Sequence, residues 1–274
     1  MFGSLGSSPR EFFVPKIAET GTGSVRTVSR AGAEGRPGRC TIGALCLGII
    51  FACNMAHADD LVVYSPHVVQ GQSEFEFRGD VIQDSSAAVN NTSNYQVSVA
   101  HAFNSWWRPE FYLAEYRHTP ETGQQSQGYE FENVFQLAPT GEYWADAGFL
   151  ASYHHAPGGQ PDDVEFGPLF ERRDRRLVNV LNLIWEKQVG AGATREYAFR
   201  AAYSLRYQWK AALQPGFETY LRPHDHAYQA GPVVYGEIAS REGNELEYST
   251  GVVLGMNRDA PDATWLLRME YEFF

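Results

Sequence analysis

The chain has 274 residues, with 33 acidic against 22 basic side chains and a formal charge of −11. That balance argues against nucleic acid as a partner, because phosphates call for a basic surface. The three cysteines, Cys40, Cys46 and Cys53, all precede residue 58, so everything downstream lacks disulfides, thiolate nucleophiles and cysteine metal sites.

Residues 1–35 are rich in Gly, Ser and Arg and show no hydrophobic period. Arg36 and Arg39 then precede an apolar run over 41–53, which is followed by Ala56-His57-Ala58. Basic flank, short apolar stretch and small-residue site together fit a secretory signal peptide. The run is too short for a transmembrane helix, which needs roughly 20 apolar residues. The expected division is therefore a leader and signal peptide over 1–58 and a single domain over 59–274. Removing the leader's six basic and three acidic residues from the totals of 22 and 33 leaves 16 and 30, a formal charge of −14. The remaining 216 residues suffice for one barrel or one sandwich.

Downstream, alternation with a period of two recurs and no segment longer than a turn has helical periodicity. Strands are expected at 73–83, 94–104, 107–118, 127–138, 143–155, 164–172, 177–188, 194–209, 211–222, 228–240, 244–257 and 263–274. Within 194–209, Tyr197, Phe199, Ala201, Tyr203, Leu205, Tyr207 and Trp209 share one face, while Arg200, Ser204 and Arg206 share the other. Two segments resist phasing, because Phe111-Tyr112-Leu113 and 180–185 are apolar on both faces. Long polar connections are expected at 84–93, 119–126 and 156–163, and tight ones at 105–106, 139–142 and 173–176. Trp106, Trp107, Trp144 and Trp209 fall at one set of strand ends and Trp185 and Trp265 at the other; Trp144 alone has the wrong parity for the apolar face. Gly167-Pro168, Pro215-Gly216 and Gly231-Pro232 interrupt strands, where proline is confined to edges and bulges.

The last segment reads Trp265, Leu267, Met269, Tyr271 and Phe273 on one face and Arg268, Glu270 and Glu272 on the other, with Phe274 one residue beyond. A chain ending on a long alternating strand with terminal aromatics resembles the bacterial outer-membrane β-barrel proteins, porin-like or transporter-like. The resemblance implies an all-β fold, a single 12-stranded antiparallel transmembrane β-barrel in the outer membrane of a Gram-negative envelope. It also implies two partners: the lipid bilayer, and a barrel-assembly machinery that reads the C-terminal strand. Even strand number, short periplasmic turns and long outer loops agree with it. A soluble β-sandwich is the competing architecture, since it too alternates.

With that phase, the expected lumen-lining residues are Glu74, Glu76, Arg78, Glu130, Glu132, Asp146, Glu196, Arg200, Arg206, Glu218, Glu245, Glu247, Arg268 and Glu270. Asp80, Glu165, Glu171, Glu186, Glu237 and Glu272 share their face, so acids far outnumber arginines. A charged ring of one sign concentrates counter-ions, and the expected function is passive passage of small hydrophilic solutes or cations through a narrow acidic lumen. The alternative is a non-conducting barrel whose outer loops bind a metal, ligand or partner. His154, His155, His224 and His226 are the candidate metal ligands, since imidazoles beside a carboxylate suit zinc or copper. A third reading, a lipid-modifying enzyme, needs a serine beside a histidine on the lipid-facing wall. His101 has that parity but no serine of matching parity beside it. No catalytic residue and no cofactor are therefore expected.

Overall fold

The computed structural model describes residues 61–239 and 244–274. The expected leader and its cleavage site lie outside the described residues. Twelve strands follow in order: β1 (Ser73–Gln83), β2 (Thr92–His101), β3 (Trp107–Thr119), β4 (Gly123–Gln136), β5 (Asp146–His155), β6 (Asp162–Asp174), β7 (Leu177–Val189), β8 (Tyr197–Tyr207), β9 (Gln214–Arg222), β10 (Ala227–Ala239), β11 (Glu245–Gly255) and β12 (Ala263–Phe273). Each pairs antiparallel with its sequence neighbours, and β1 pairs with β12 to close the barrel. Every strand thus has two partners and no edge remains, which excludes the sandwich.

Closure is an eleven-pair ladder from Ser73↔Phe273 to Gln83↔Ala263. Phe75↔Tyr271, Phe77↔Met269 and Val81↔Trp265 put apolar pairs on the outward face, while Glu74↔Glu272, Glu76↔Glu270 and Arg78↔Arg268 put like charges opposite one another inside. Like charges in register are destabilising unless other groups intervene, and the interior supplies those groups. The end where β1 begins and β12 finishes is called the closure end below; the opposite one is the loop end.

The two segments that resisted phasing have separate explanations. In β3 the register shifts between Val97↔Ala114 and Ser98↔Tyr112. This bulge holds Glu110, Tyr112 and Glu115 all inward despite their mixed spacing, while Phe111 and Leu113 face out. In β7 the inward residues Val178, Val180 and Ile184 are all buried, and Ile184 packs against an apolar segment inside the barrel. The expected long loop at 119–126 is instead a continuation of the ladder to Thr119↔Gly123. Thr119 Oγ1 accepts the Thr122 N–H at 3.0 Å and closes the turn.

Two of the Gly-Pro pairs mark breaks in the ladders, between Phe166↔Trp185 and Leu169↔Asn182 and between Ala230↔Leu254 and Val233↔Gly251. A Cβ at Gly167 would strike the Leu183 carbonyl oxygen, and one at Gly231 that of Val252; only glycine lets those strands approach so closely. The outward face is a band of exposed apolar side chains, among them Phe75, Leu113, Phe217, Leu254 and Leu267. Aromatics gather at its borders. Trp106 stacks on Phe135 at 6.2 Å and Phe103 on Trp107 at 5.5 Å near the closure end, and Trp185 leans on Phe199 at 5.1 Å toward the loop end. Trp144, 76 % exposed, lies on a closure-end turn beneath the Arg172 guanidinium.

Candidate functional site

The interior is organised by a stretch with no strand of its own. Residues 61–72, here called the strap, run inside the barrel before β1 begins. Gly71 and Gln72 join the wall near β2: the Gly71 N–H donates to the Ala102 carbonyl and the Ala102 N–H to the Gln72 carbonyl, both at 2.8 Å. Further in, the Val68 N–H donates to Gln136 Oε1 at 2.8 Å, His67 Nε2 meets Asp146 Oδ2 at 2.9 Å, and Pro66 packs where Gly148 has no side chain. The Tyr64 N–H donates to Asn182 Oδ1 at 2.7 Å, and Asn182 Nδ2 returns a bond to the Tyr64 carbonyl at 2.9 Å. Arg268 Nη2 then donates to the Leu61 carbonyl at 2.5 Å. A buried backbone segment outside any ladder must find side-chain partners for its polar groups, and these wall residues provide them.

Packing completes the hold. Val62, Tyr64 and Val68 form one cluster with the inward Ala102, Val134, Leu150, Leu169 and Ile184. Leu61 and Val63 rest on a second, of Ala202, Tyr220, Val253 and Leu266. The Tyr64 ring lies 5.4 Å from the Arg78 guanidinium and 5.9 Å from that of Arg200, a cation–π sandwich at mid-barrel.

Charged pairs fill the rest of that layer. Arg78 Nε donates to Glu76 at 2.6 Å and its Nη1 to the Tyr112 hydroxyl at 2.7 Å. Arg108 donates to Glu74 at 2.6 Å, Arg200 to Glu165, and Arg268 to both oxygens of Glu218 at 2.9 and 3.0 Å. The Tyr235 hydroxyl also donates to Glu218, at 2.6 Å. Arg173 holds Glu171 at 2.7 Å. These pairs explain how the closing ladder carries Glu opposite Glu: Arg108 sits on Glu74, and Gln72 of the strap donates to Glu272.

Strap and pairs divide the interior. The closure-end cavity, about 340 Å³, is lined by Glu74, Glu76, Arg78, Arg206, Glu218, Glu247, Arg268 and Glu270 among the expected residues. The loop-end cavity, about 590 Å³, has Glu196 at its exposed rim. The two share no lining residue. Glu132 and Arg200 are buried between them, Glu130 lines a small void just below the loop-end cavity, Asp146 accepts from Gly141 and His67, and Glu245 is paired with Glu272 at the closure rim.

Sequence reasoning left out Arg108, Glu110, Glu115, Tyr112, Arg173 and Asn182, together with the whole strap. For Glu115 the missing information is the bulge, which no period-two reading carries; Arg108, Glu110 and Tyr112 share one parity and were missed because the segment around Tyr112 is apolar on both faces. The strap left a faint signal, the apolar residues 61–64 and 68–69 lying before the first strand.

The four histidines do not form one group. His154 is buried and faces inward, 3.3 Å from Glu115, whereas His155 faces out against Asp162 at 2.8 Å and the Tyr129 ring at 4.8 Å. Alternation along β5 separates these two adjacent residues. His224 lines the loop-end cavity and His226 lies in the β9–β10 turn. Among the described residues, the acidic or histidine group with ligand atoms mutually within 4.8 Å is Glu74, Glu270 and Glu272, not any of the histidines.

The expectation that His101 lacks a serine is corrected by the fold. Ser73 is its cross-strand partner, and Ser73 Oγ lies 2.9 Å from His101 Nδ1. Two residues 28 apart in sequence meet because β1 and β2 form a hairpin. Among the described residues, Ser73 and the Phe103 ring are the partners of that imidazole, so no third group orients it as a catalytic base requires.

No family model matches the chain, and no curated protein matches it. Among solved structures, OmpF of Salmonella typhi in complex with daunomycin aligns with 74 % of this chain and 96 % of its own, at 9 % identity and a TM-score of 0.28.

Proposed function

We propose that this chain is an outer-membrane β-barrel whose lumen is sealed by its own strap, and that it binds small hydrophilic or cationic ligands at the loop end. The exposed apolar band supports the membrane reading, since a water-soluble protein rarely exposes contiguous apolar surface beyond a few hundred Å². Aromatics at both borders support it as well. In this reading the closure end faces the periplasm and the loop end faces outward. The secretory signal over 1–58 belongs to the same proposal.

The observation that carries the sealed lumen is the two-way amide bond between Asn182 and the Tyr64 backbone at mid-barrel. It locks a segment across the lumen between two cavities that share no wall residue. Passive passage through an acidic pore, the other reading, requires the strap to leave. The inward acids favour cations in either case, and the inward arginines offset only part of them.

Planar-bilayer conductance separates the two. The mature protein is expected to form no steady channels, whereas deletion of 61–70 in a barrel that still assembles opens cation-preferring ones. Steady conductance from the intact protein would reject the sealed lumen and restore the pore reading.

A further inference from the structure

We infer that the floor of the loop-end cavity is a site for a divalent metal cation, built by His154 and Glu115 with Gln96 and Glu130 beside them. The inference deepens the reading of the loop end as a binding chamber and rests on it.

A void of about 10 Å³ lies between these side chains, and it shares His154, Asp163 and Glu186 with the loop-end cavity above. That volume is on the order of one water-sized probe, enough for a single ion and too small for an organic cation. Gln96 is 2 % exposed, lines the void, and its side-chain oxygen has no hydrogen-bond partner. Glu115 Oε1, in a residue 3 % exposed, is equally unsatisfied. Buried acceptors without donors are destabilising, and a cation is the ligand that satisfies acceptors alone.

The donor geometry agrees. His154 Nε2 and Glu115 Oε2 stand 3.3 Å apart; two ligands at about 2.0–2.1 Å from a tetrahedral zinc stand about 3.3 Å apart. On the far side of the ring, Asp163 Oδ2 is 3.9 Å from Nδ1. Drawn in to hydrogen-bond distance on metal binding, that carboxylate would orient the imidazole. Neighbouring strands bring these residues together: Gln96 faces Glu115 across β2–β3, and His154 stands between Glu130 and Asp163 across β4–β5–β6. The void's lining contains four glutamates and one aspartate but no lysine or arginine, and Arg200 holds Glu165 at its edge. Imidazole, carboxylate and amide oxygen without thiolate suit a borderline or hard divalent ion. The group Glu74, Glu270 and Glu272 is more compact, but Arg108 already holds Glu74 and Gln72 holds Glu272.

The test uses the membrane-extracted protein, without a polyhistidine tag, stripped with chelator and titrated with zinc chloride by calorimetry. One equivalent is expected to bind, and zinc X-ray absorption should show one imidazole with oxygen ligands. His154→Gln and Glu115→Gln should each weaken binding at least tenfold, and Asp163→Asn about 10–100-fold as an orienting residue. Glu272→Gln and His226→Gln should bind as wild type. Absence of a zinc signal in folded wild-type protein would overturn the site, as would binding that survives His154→Gln or is lost in His226→Gln. Heat from spermidine with none from zinc would replace the metal by an organic cation. A conducting protein that still binds zinc through His154 would reject the sealed lumen and leave the metal site standing.

Discussion

Asn182 and Gly148 hold the strap by opposite means, one by reaching it and the other by leaving it room. Asn182→Ala leaves the Tyr64 N–H and carbonyl without partners in a buried layer, at about 1–3 kcal/mol for each group. Gly148→Val brings a Cβ within 2.8 Å of the Pro66 Cβ and 3.1 Å of the Phe135 carbonyl oxygen, so the strap must yield. Both variants are expected to assemble as barrels while releasing 61–72. A maleimide probe on Val68→Cys, buried in the parent, should then react at least tenfold faster. Gly167→Val is the contrasting case, because its side chain would strike wall backbone at the Leu183 carbonyl. It should fail to assemble, as judged by loss of the heat-modifiable band on a gel.

Strand β8 shows how an element divides its labour between two solvents. Its outward residues Tyr197, Phe199, Ala201, Tyr203 and Leu205 alternate with inward Arg200, Ala202, Ser204 and Arg206. A lysine at Tyr203, near the middle of the strand, would face the bilayer in the proposed reading, at roughly 2–4 kcal/mol near the midplane, and should block assembly into liposomes. A lysine at Ser204 enters the closure-end cavity, whose wall includes Glu218 and Glu247, and should be tolerated. Equal damage from both would point to a water-facing exterior. Strand β7 divides differently: its inward Ile184 is apolar because the strap, not water, lies against it. Lysine at Ile184 is therefore expected to resemble Tyr203→Lys in severity, although it faces inside; full tolerance would mean that water fills the lumen there.

For the molecule as a whole, processing and sealing are linked. Cleavage after Ala58 would leave a mature N-terminus two residues ahead of Leu61, which is held by Arg268 inside the barrel. Intact mass of protein from the outer-membrane fraction should match a chain beginning at Asp59 and free of cysteine. A Cys53-lipidated species there would contradict that processing.

What the sequence determined by itself is the wall. Period-two alternation specifies which residue faces which way, so twelve strands, their order and the inward position of Glu74, Arg78, Glu132, Arg200 and Glu218 were legible before any coordinates. Closure was implied by the resemblance of the terminal aromatic strand to those of outer-membrane barrels, not by its period. Only the tertiary structure decided what lies inside. A bulge in β3 displaced the parity of Glu115, and the β1–β2 hairpin brought Ser73 to His101. The strap reached across the lumen to Asn182, 118 residues from Tyr64. Each of these is a contact between residues far apart in the chain, and local periodicity carries no information about such pairs. The acids read as the lining of a narrow acidic lumen, because alternation reports the face of a side chain and not what stands opposite it.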